Sequence, residues 1–275
     1  MGKKIERLLE LPAGGEERTD RQFISALARG LEVLRVFEPG DGPLGNQEIA
    51  ARAKLPTSTI SRITHTLTRL GYLEYFPRLE KYALGTPVLA LGYAFLSNIG
   101  IRNIARPHMQ ELADYAGASV AAGSRDRLQM TYLELCHGNR TMSLRLDVGS
   151  RVPIHRSAMG MAYLHALPEN EREILLGAIR VAEGKDWPIA KKRFDAAFKD
   201  MEKHGFCIST GIFERTVNGV GAALVSRDGS GVYAFNCSAP AFQLPESRMY
   251  EDIGPALVTM MSNIEADLGR ARFGI

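Results

Sequence analysis

Cysteine is scarce in this chain of 275 residues. The three present, Cys136, Cys207 and Cys237, are odd in number, far apart and in no C-x-x-C pair. That excludes a disulfide framework and a zinc ribbon, and it fits a reducing compartment. Long hydrophobic runs are missing as well. None approaches the roughly 20 residues that span a bilayer, and the opening Met1-Gly2-Lys3-Lys4-Ile5-Glu6 lacks the apolar stretch of a secretory signal. The expectation is a cytoplasmic protein with no membrane partner. The signatures G-x-S-x-G, H-E-x-x-H and a Walker loop are absent, so the chemistries they mark have no foothold. No cofactor or metal is implied, and there is no internal repeat.

What is present is ordinary globular material. With 45% hydrophobic and 24% charged residues the chain can bury a core, and its length suggests two domains, with one large α/β domain as the alternative. A net charge of +3 names no partner by itself. Between Asn46 and Lys81, however, the bases Arg52, Lys54, Arg62, Arg69, Arg78 and Lys81 outnumber the acids Glu48, Glu74 and Glu80. A locally basic surface is what a DNA-binding module requires.

After a polar lead over residues 1–20, with a short helical piece from Ile5 to Leu11, the apolar residues Ile24, Leu27, Leu31 and Leu34 mark one face of a first helix. It ends in Pro39-Gly40-Asp41-Gly42-Pro43. Asn46 is read as the N-cap of a short second helix, with Glu48 in its first turn. Leu55-Pro56 stops that helix. A third follows from Thr57 or Ser58, with Ile60, Ile63, Leu67 and Leu70 on its apolar face and Thr59, Arg62, Thr66 and Arg69 opposite. Two extended stretches, Tyr72 to Phe76 and Lys81 to Leu84, then read as a hairpin. Thr86 is read as the cap and Pro87 as the opening residue of a fourth helix that is apolar nearly all round and needs a partner helix or a second subunit to cover it.

A short helix, a tight turn and a longer helix with a polar outer face form the pattern that lays a helix in the major groove. On the third helix Thr57, Ser58, Thr59, Ser61 and Arg62 are placed to meet phosphates and base edges, with His65 and Arg69 further along. Arg78 and Lys81 on the hairpin would reach the neighbouring minor groove or its phosphates. The competing reading is a three-helix unit that packs against another protein and never touches nucleic acid.

Beyond about Arg102 the texture changes to alternating helices and strands. Strands are expected near Ser119 to Ser124, Met130 to Cys136, Thr141 to Leu146, Gly219 to Ser226 and Gly231 to Cys237. Helices are expected over Ile104 to Ala116, Ser157 to Ala166, Glu169 to Ile179, Pro188 to His204 and Glu246 to Leu268. The helix start Ser157 to Gly160 offers backbone amides and small side chains to an anion. Asn236, in an apolar strand, must find a partner: either a ligand or, with Ser238, the turn before Pro240.

The stretches Ala28-Arg29-Gly30-Leu31-Glu32-Val33-Leu34, Leu55-Pro56-Thr57-Ser58-Thr59-Ile60-Ser61-Arg62, Gly71-Tyr72-Leu73 and Tyr82-Ala83-Leu84-Gly85 resemble the isocitrate lyase regulator (IclR) family of transcription factors. So do Gly149 to His155, Ser157-Ala158-Met159-Gly160, Val217 to Val220 and Asn236 to Phe242. The family often carries lysine where this chain has Thr57 and Met161. The resemblance implies an α/β (α+β) chain: residues 1–20 a lead, 21–85 a winged helix-turn-helix, 86–101 a linker helix, and 102–275 a GAF-like domain with a mostly antiparallel sheet flanked by helices. It implies two partners besides the chain itself as dimer or tetramer: double-stranded DNA carrying a roughly palindromic operator, and a small carboxylate or aromatic-acid effector. The effector pocket it implies is built from Leu144, Val152, Ala158, Met159, Gly160, Glu214, Asn236 and Ser238. The rival class is an enzyme, with Cys237 as nucleophile and His155 as base, or a metal site at Cys136-His137; adjacent strand residues point to opposite faces, which disfavours the latter.

Overall fold

A computed structural model of the chain describes residues 22–139, 146–226 and 231–273. Its contacts separate the chain after Asn98 into two compact units.

In the first unit, helices α1 (Ser25–Arg35), α2 (Asn46–Ala53) and α3 (Thr57–Arg69) are followed by strands β1 (Leu73–Phe76) and β2 (Lys81–Leu84) and by helix α4 (Thr86–Ser97). The core is Val33, Val36, Leu44, Ile49, Ile60 and Leu73. Strands β1 and β2 pair antiparallel, and Leu44 and Tyr82 exchange backbone hydrogen bonds of 2.8 Å in both directions, fixing the hairpin to the segment before α2. Of the α1 stripe only Leu34 packs against this core. Ile24, Leu27 and Leu31 are 64%, 59% and 54% exposed, while Val33 and Val36 point inward. Helix α1 is apolar on two sides, so its periodicity fits either, and packing against α3 selects one. Leu70, expected on the buried face of α3, is also exposed; the fully buried positions there are Ile60 and Thr64. Two caps shift by one residue: Gly45, not Asn46, is the N-cap of α2, and Gly85, not Thr86, that of α4.

The second unit contains helix α5 (Gly100–Ala116), strands β3 (Ser119–Asp126), β4 (Gln129–His137) and β5 (Arg151–Pro153), helices α6 (Ala158–Ala166), α7 (Glu169–Glu183) and α8 (Trp187–His204), strands β6 (Cys207–Thr210), β7 (Val217–Val225) and β8 (Val232–Pro240), and helix α9 (Gly254–Phe273). The six strands form one sheet in the order β5-β4-β3-β8-β7-β6, antiparallel at every pairing. Helices α5 and α9 lie on one face, and α6, backed by α7 and α8, lies on the other. Strands β5 and β6, of three and four residues, were not anticipated. The strand expected at Thr141 to Leu146 falls, except for Leu146, outside the described residues. The helix expected over Glu246 to Leu268 is broken by a π turn at Met249–Ile253. Among the described residues no single helix is long and apolar enough to cross a membrane.

Candidate functional sites

On α3, Thr57, Ser58, Ser61, Arg62, His65 and Arg69 are exposed and Thr59 is half buried, so the polar face proposed to enter a groove is accessible within its unit. Thr66 and Thr68 turn inward on the helix itself: their hydroxyls donate to the Arg62 and Thr64 carbonyls at 2.9 and 2.8 Å. Thr64 differs, donating to Asn46 Oδ1 at 3.1 Å on α2.

The local basic excess is smaller than a residue count suggests, because two of its members are committed. Arg52 forms a bidentate pair with Asp41 and also donates to the Val36 carbonyl at 2.9 Å, tying the loop after α1 to α2. Lys81 Nζ lies 3.1 Å from Glu48 Oε2, and Glu48 also accepts from the Gly45 N–H at 2.7 Å. That backbone bond first, and Lys81 second, hold the Glu48 carboxyl below its usual range. Arg78 at the hairpin tip is exposed.

In the second unit the structure gathers Val152, Ala158 and Met159 into one buried cluster with Tyr132, Met130, Ala121 and Ala234. Gly160 follows in α6, and Asn236 and Ser238 occupy β8 positions that alternate with Ala234 and so share its face. The start of α6 approaches its neighbours too closely for side chains. A Cβ on Gly221 would meet the Ala158 carbonyl carbon at 2.3 Å, and one on Gly160 the Ile154 carbonyl oxygen at 2.1 Å. The anion cradle expected there is partly filled by the protein: the Gly160 N–H donates to Ser157 Oγ, and that hydroxyl donates to the Pro153 carbonyl, both at 3.1 Å. Glu214 is exposed, on a loop held by Arg156, whose Nε and Nη2 donate to the Ile212 carbonyl at 3.3 and 3.0 Å. Leu144 lies outside the described residues.

Tyr132 was not anticipated. It is 4% exposed, and burial pushes its phenol up to about 12 against the opposing effect of a hydrogen bond from the Asn236 side chain. Asn236 Oδ1, buried beside it, has no hydrogen-bond partner among the described residues. A β-bulge decides which face these residues take. Gly123 pairs with Tyr132 and Ala122 with Glu134, leaving Leu133 unpaired. Two residues that strict alternation would place together are thereby sent to opposite faces. Glu134 meets α5, where Arg102 Nε lies at 2.7 Å and Arg106 Nη1 at 2.5 Å from its carboxylate, itself 2% exposed.

All three cysteines are buried. Burial raises Cys136, pushes Cys237 up to about 12 and drives Cys207 higher still. His155, offered as a base for Cys237, instead pairs with Glu183 at 3.0 Å. His137 Nδ1 lies 3.0 Å from Ser119 Oγ, and the described residues contain no group of three metal-ligating side chains.

Two family descriptions match: the IclR helix-turn-helix domain over residues 26–77, and the bacterial transcriptional regulator IclR C-terminal over residues 93–266. The chain belongs to the IclR family. It is 37% identical to the HTH-type transcriptional regulator TsaQ1/TsaQ2 of Comamonas testosteroni over 91% of this chain and 90% of that one. The crystal structure of an IclR family transcriptional regulator from Brucella abortus superposes with a TM-score of 0.86 at 47% identity, covering 97% of this chain and 98% of that one. An IclR homologue of Microbacterium hydrocarbonoxydans, solved with 4-hydroxybenzoate, shares the fold at a TM-score of 0.63 and 24% identity, over 88% and 100% of the two chains. IclR proteins are DNA-binding transcriptional regulators, not enzymes, and the N-terminal helix-turn-helix with a C-terminal antiparallel sheet and flanking helices is their architecture.

Proposed function

We propose that this IclR regulator binds an operator through α3 and the β1–β2 hairpin, and that a small organic acid held on the α6 face of the second unit sets that affinity. Arg62 is the base reader, Ser58, Thr59 and Ser61 approach phosphates with Thr57, and His65, Arg69, Arg78 and Lys81 supply outlying contacts. The protein acts in the cytoplasm as a dimer or dimer of dimers, presenting two α3 helices to successive major grooves of a roughly palindromic site. The effector changes their spacing by binding the two states with different affinity.

The observation that carries the ligand reading is the Tyr132–Asn236 pair. A buried amide oxygen without a partner costs free energy that a bound hydroxyl or amine proton would recover. Tyr132, neutral at physiological pH, keeps its own proton for a ligand acceptor. Around the pair, Val152, Ala158, Met159 and Gly160 supply apolar walls, with Ser238 beside it and Glu214 at the rim. The structure of the 4-hydroxybenzoate-bound homologue supports an aromatic or related acid as the class.

The test is a thermal-shift panel of small carboxylic acids, 4-hydroxybenzoate included, followed by calorimetry on any compound that raises the melting temperature. Asn236→Ala is expected to weaken that compound about tenfold or more, the scale of one lost buried hydrogen bond. Unchanged affinity removes Asn236 from the site.

A further inference from the structure

Thr64 is 0% exposed in the middle of α3, one turn from Ile60, which is also fully buried. Valine has the same shape and would bring no polar atom into that core. The hydroxyl is used across the turn. It donates to Asn46 Oδ1 at 3.1 Å on the first residue of α2, with the Ser61 carbonyl of its own helix 3.2 Å away as the alternative acceptor. Asn46 is available because it does not cap α2; Glu48 closes that end by accepting from the Gly45 N–H.

The apolar contacts around this bond, Ile49, Ile60, Leu73 and Val33, hold the helices together but are non-directional. Burial changes little when α3 rolls about its axis, whereas a hydrogen bond is lost. A roll of about 10° moves a side-chain tip ~6 Å from the axis by about 1 Å, more than the ~0.5 Å window of hydrogen-bond distances. A bidentate base contact tolerates that poorly. Phosphate attraction varies slowly with distance and tolerates it well.

We propose that Thr64, acting through Asn46, is a positioning residue for sequence recognition: it sets the rotation of α3 against α2, so that discrimination between DNA sequences depends on it while general DNA affinity does not. The proposal rests on the reading of α3 as the groove-entering helix.

The experiment uses the full chain, a duplex enriched from a random library by the wild-type protein, and a scrambled duplex of equal length, titrated at several salt concentrations. Thr64→Val is expected to lower affinity for the enriched duplex about tenfold, leave the scrambled duplex within twofold and keep the salt slope. Thr64→Ser restores discrimination. Asn46→Ala reduces the discrimination ratio similarly, and combining it with Thr64→Val reduces it no further. Should Thr64→Val fail to fold, Asn46→Ala and the serine variant decide the matter. Equal loss on both duplexes, or an unchanged ratio, overturns the proposal. Arg62→Ala separates the two failures. If it lowers the ratio while Thr64→Val does not, only the positioning role falls; if the wild type enriches no duplex, the groove reading falls with it.

Discussion

On the proposed DNA face, Lys81 and Glu48, paired at 3.1 Å, would make opposite demands. For Lys81 to meet a phosphate it must leave Glu48, and the carboxylate then stands near the same phosphate. Glu48→Gln is therefore expected to raise affinity for any duplex, whatever its sequence, in salt-dependent titrations; a fall would show that Glu48 matters for arranging the hairpin and that Lys81 is not a phosphate contact. The same carboxylate makes folding pH-dependent. Asp41, held down chiefly by Arg52, and Glu48, held down chiefly by the Gly45 N–H, are both more acidic folded than unfolded. Their stabilisation is complete above the ordinary carboxylate range of about 4 and disappears as pH falls through their lowered values. Melting temperature is expected to drop below about pH 4.5 in the wild type, and less steeply in Glu48→Gln. At this scale the sequence showed the exposed residues of α3 and the buried Asn236, because each stands out from its own periodic context. Thr64 and Tyr132 did not stand out. The first is recognisable only once Asn46, eighteen positions away, is beside it, and the second only through a bulge.

That bulge belongs to the scale of elements. A run such as Met130 to Cys136 reads as plain alternation, and nothing in it marks Leu133 as the extra residue. The consequence is the Glu134 carboxylate buried against α5 between two arginines whose own side chains are 28% and 57% exposed. Replacing both Arg102 and Arg106 with methionine strands a buried charge and is expected to cost about 3–5 kcal/mol in denaturant unfolding. Adding Glu134→Gln should recover most of that loss; a triple variant as unstable as the double would mean the arginines act through packing alone. Other elements escaped the sequence for equally local reasons. Helix α1 offered two apolar faces, and β5 and β6 are too short to establish a period. The π turn before α9 comes where the chain passes Phe206 so closely that a Cβ on Gly254 would meet its ring carbons at 2.2 Å.

For the whole molecule the main feature is α4. It buries none of its residues, with Leu89, Leu91, Tyr93 and Phe95 between 58% and 73% exposed. An apolar surface of that kind marks an interaction site, and its all-round apolarity was plain in the sequence. If α4 joins two copies, Leu89→Glu with Tyr93→Glu gives a smaller particle by light scattering. It also weakens binding to a two-half-site operator by a hundredfold or more, while a single half-site is bound as before, since linked sites gain affinity from effective concentration. A variant of unchanged mass moves the interface elsewhere.

The sealed thiols carry a consequence for what such a regulator can perceive. Peroxides, electrophiles and metals that strip or load sulfur all require an accessible thiolate, and this chain presents none among its described residues. With Cys136, Cys207 and Cys237 all enclosed, a signal carried by thiol oxidation finds no surface sulfur to act on.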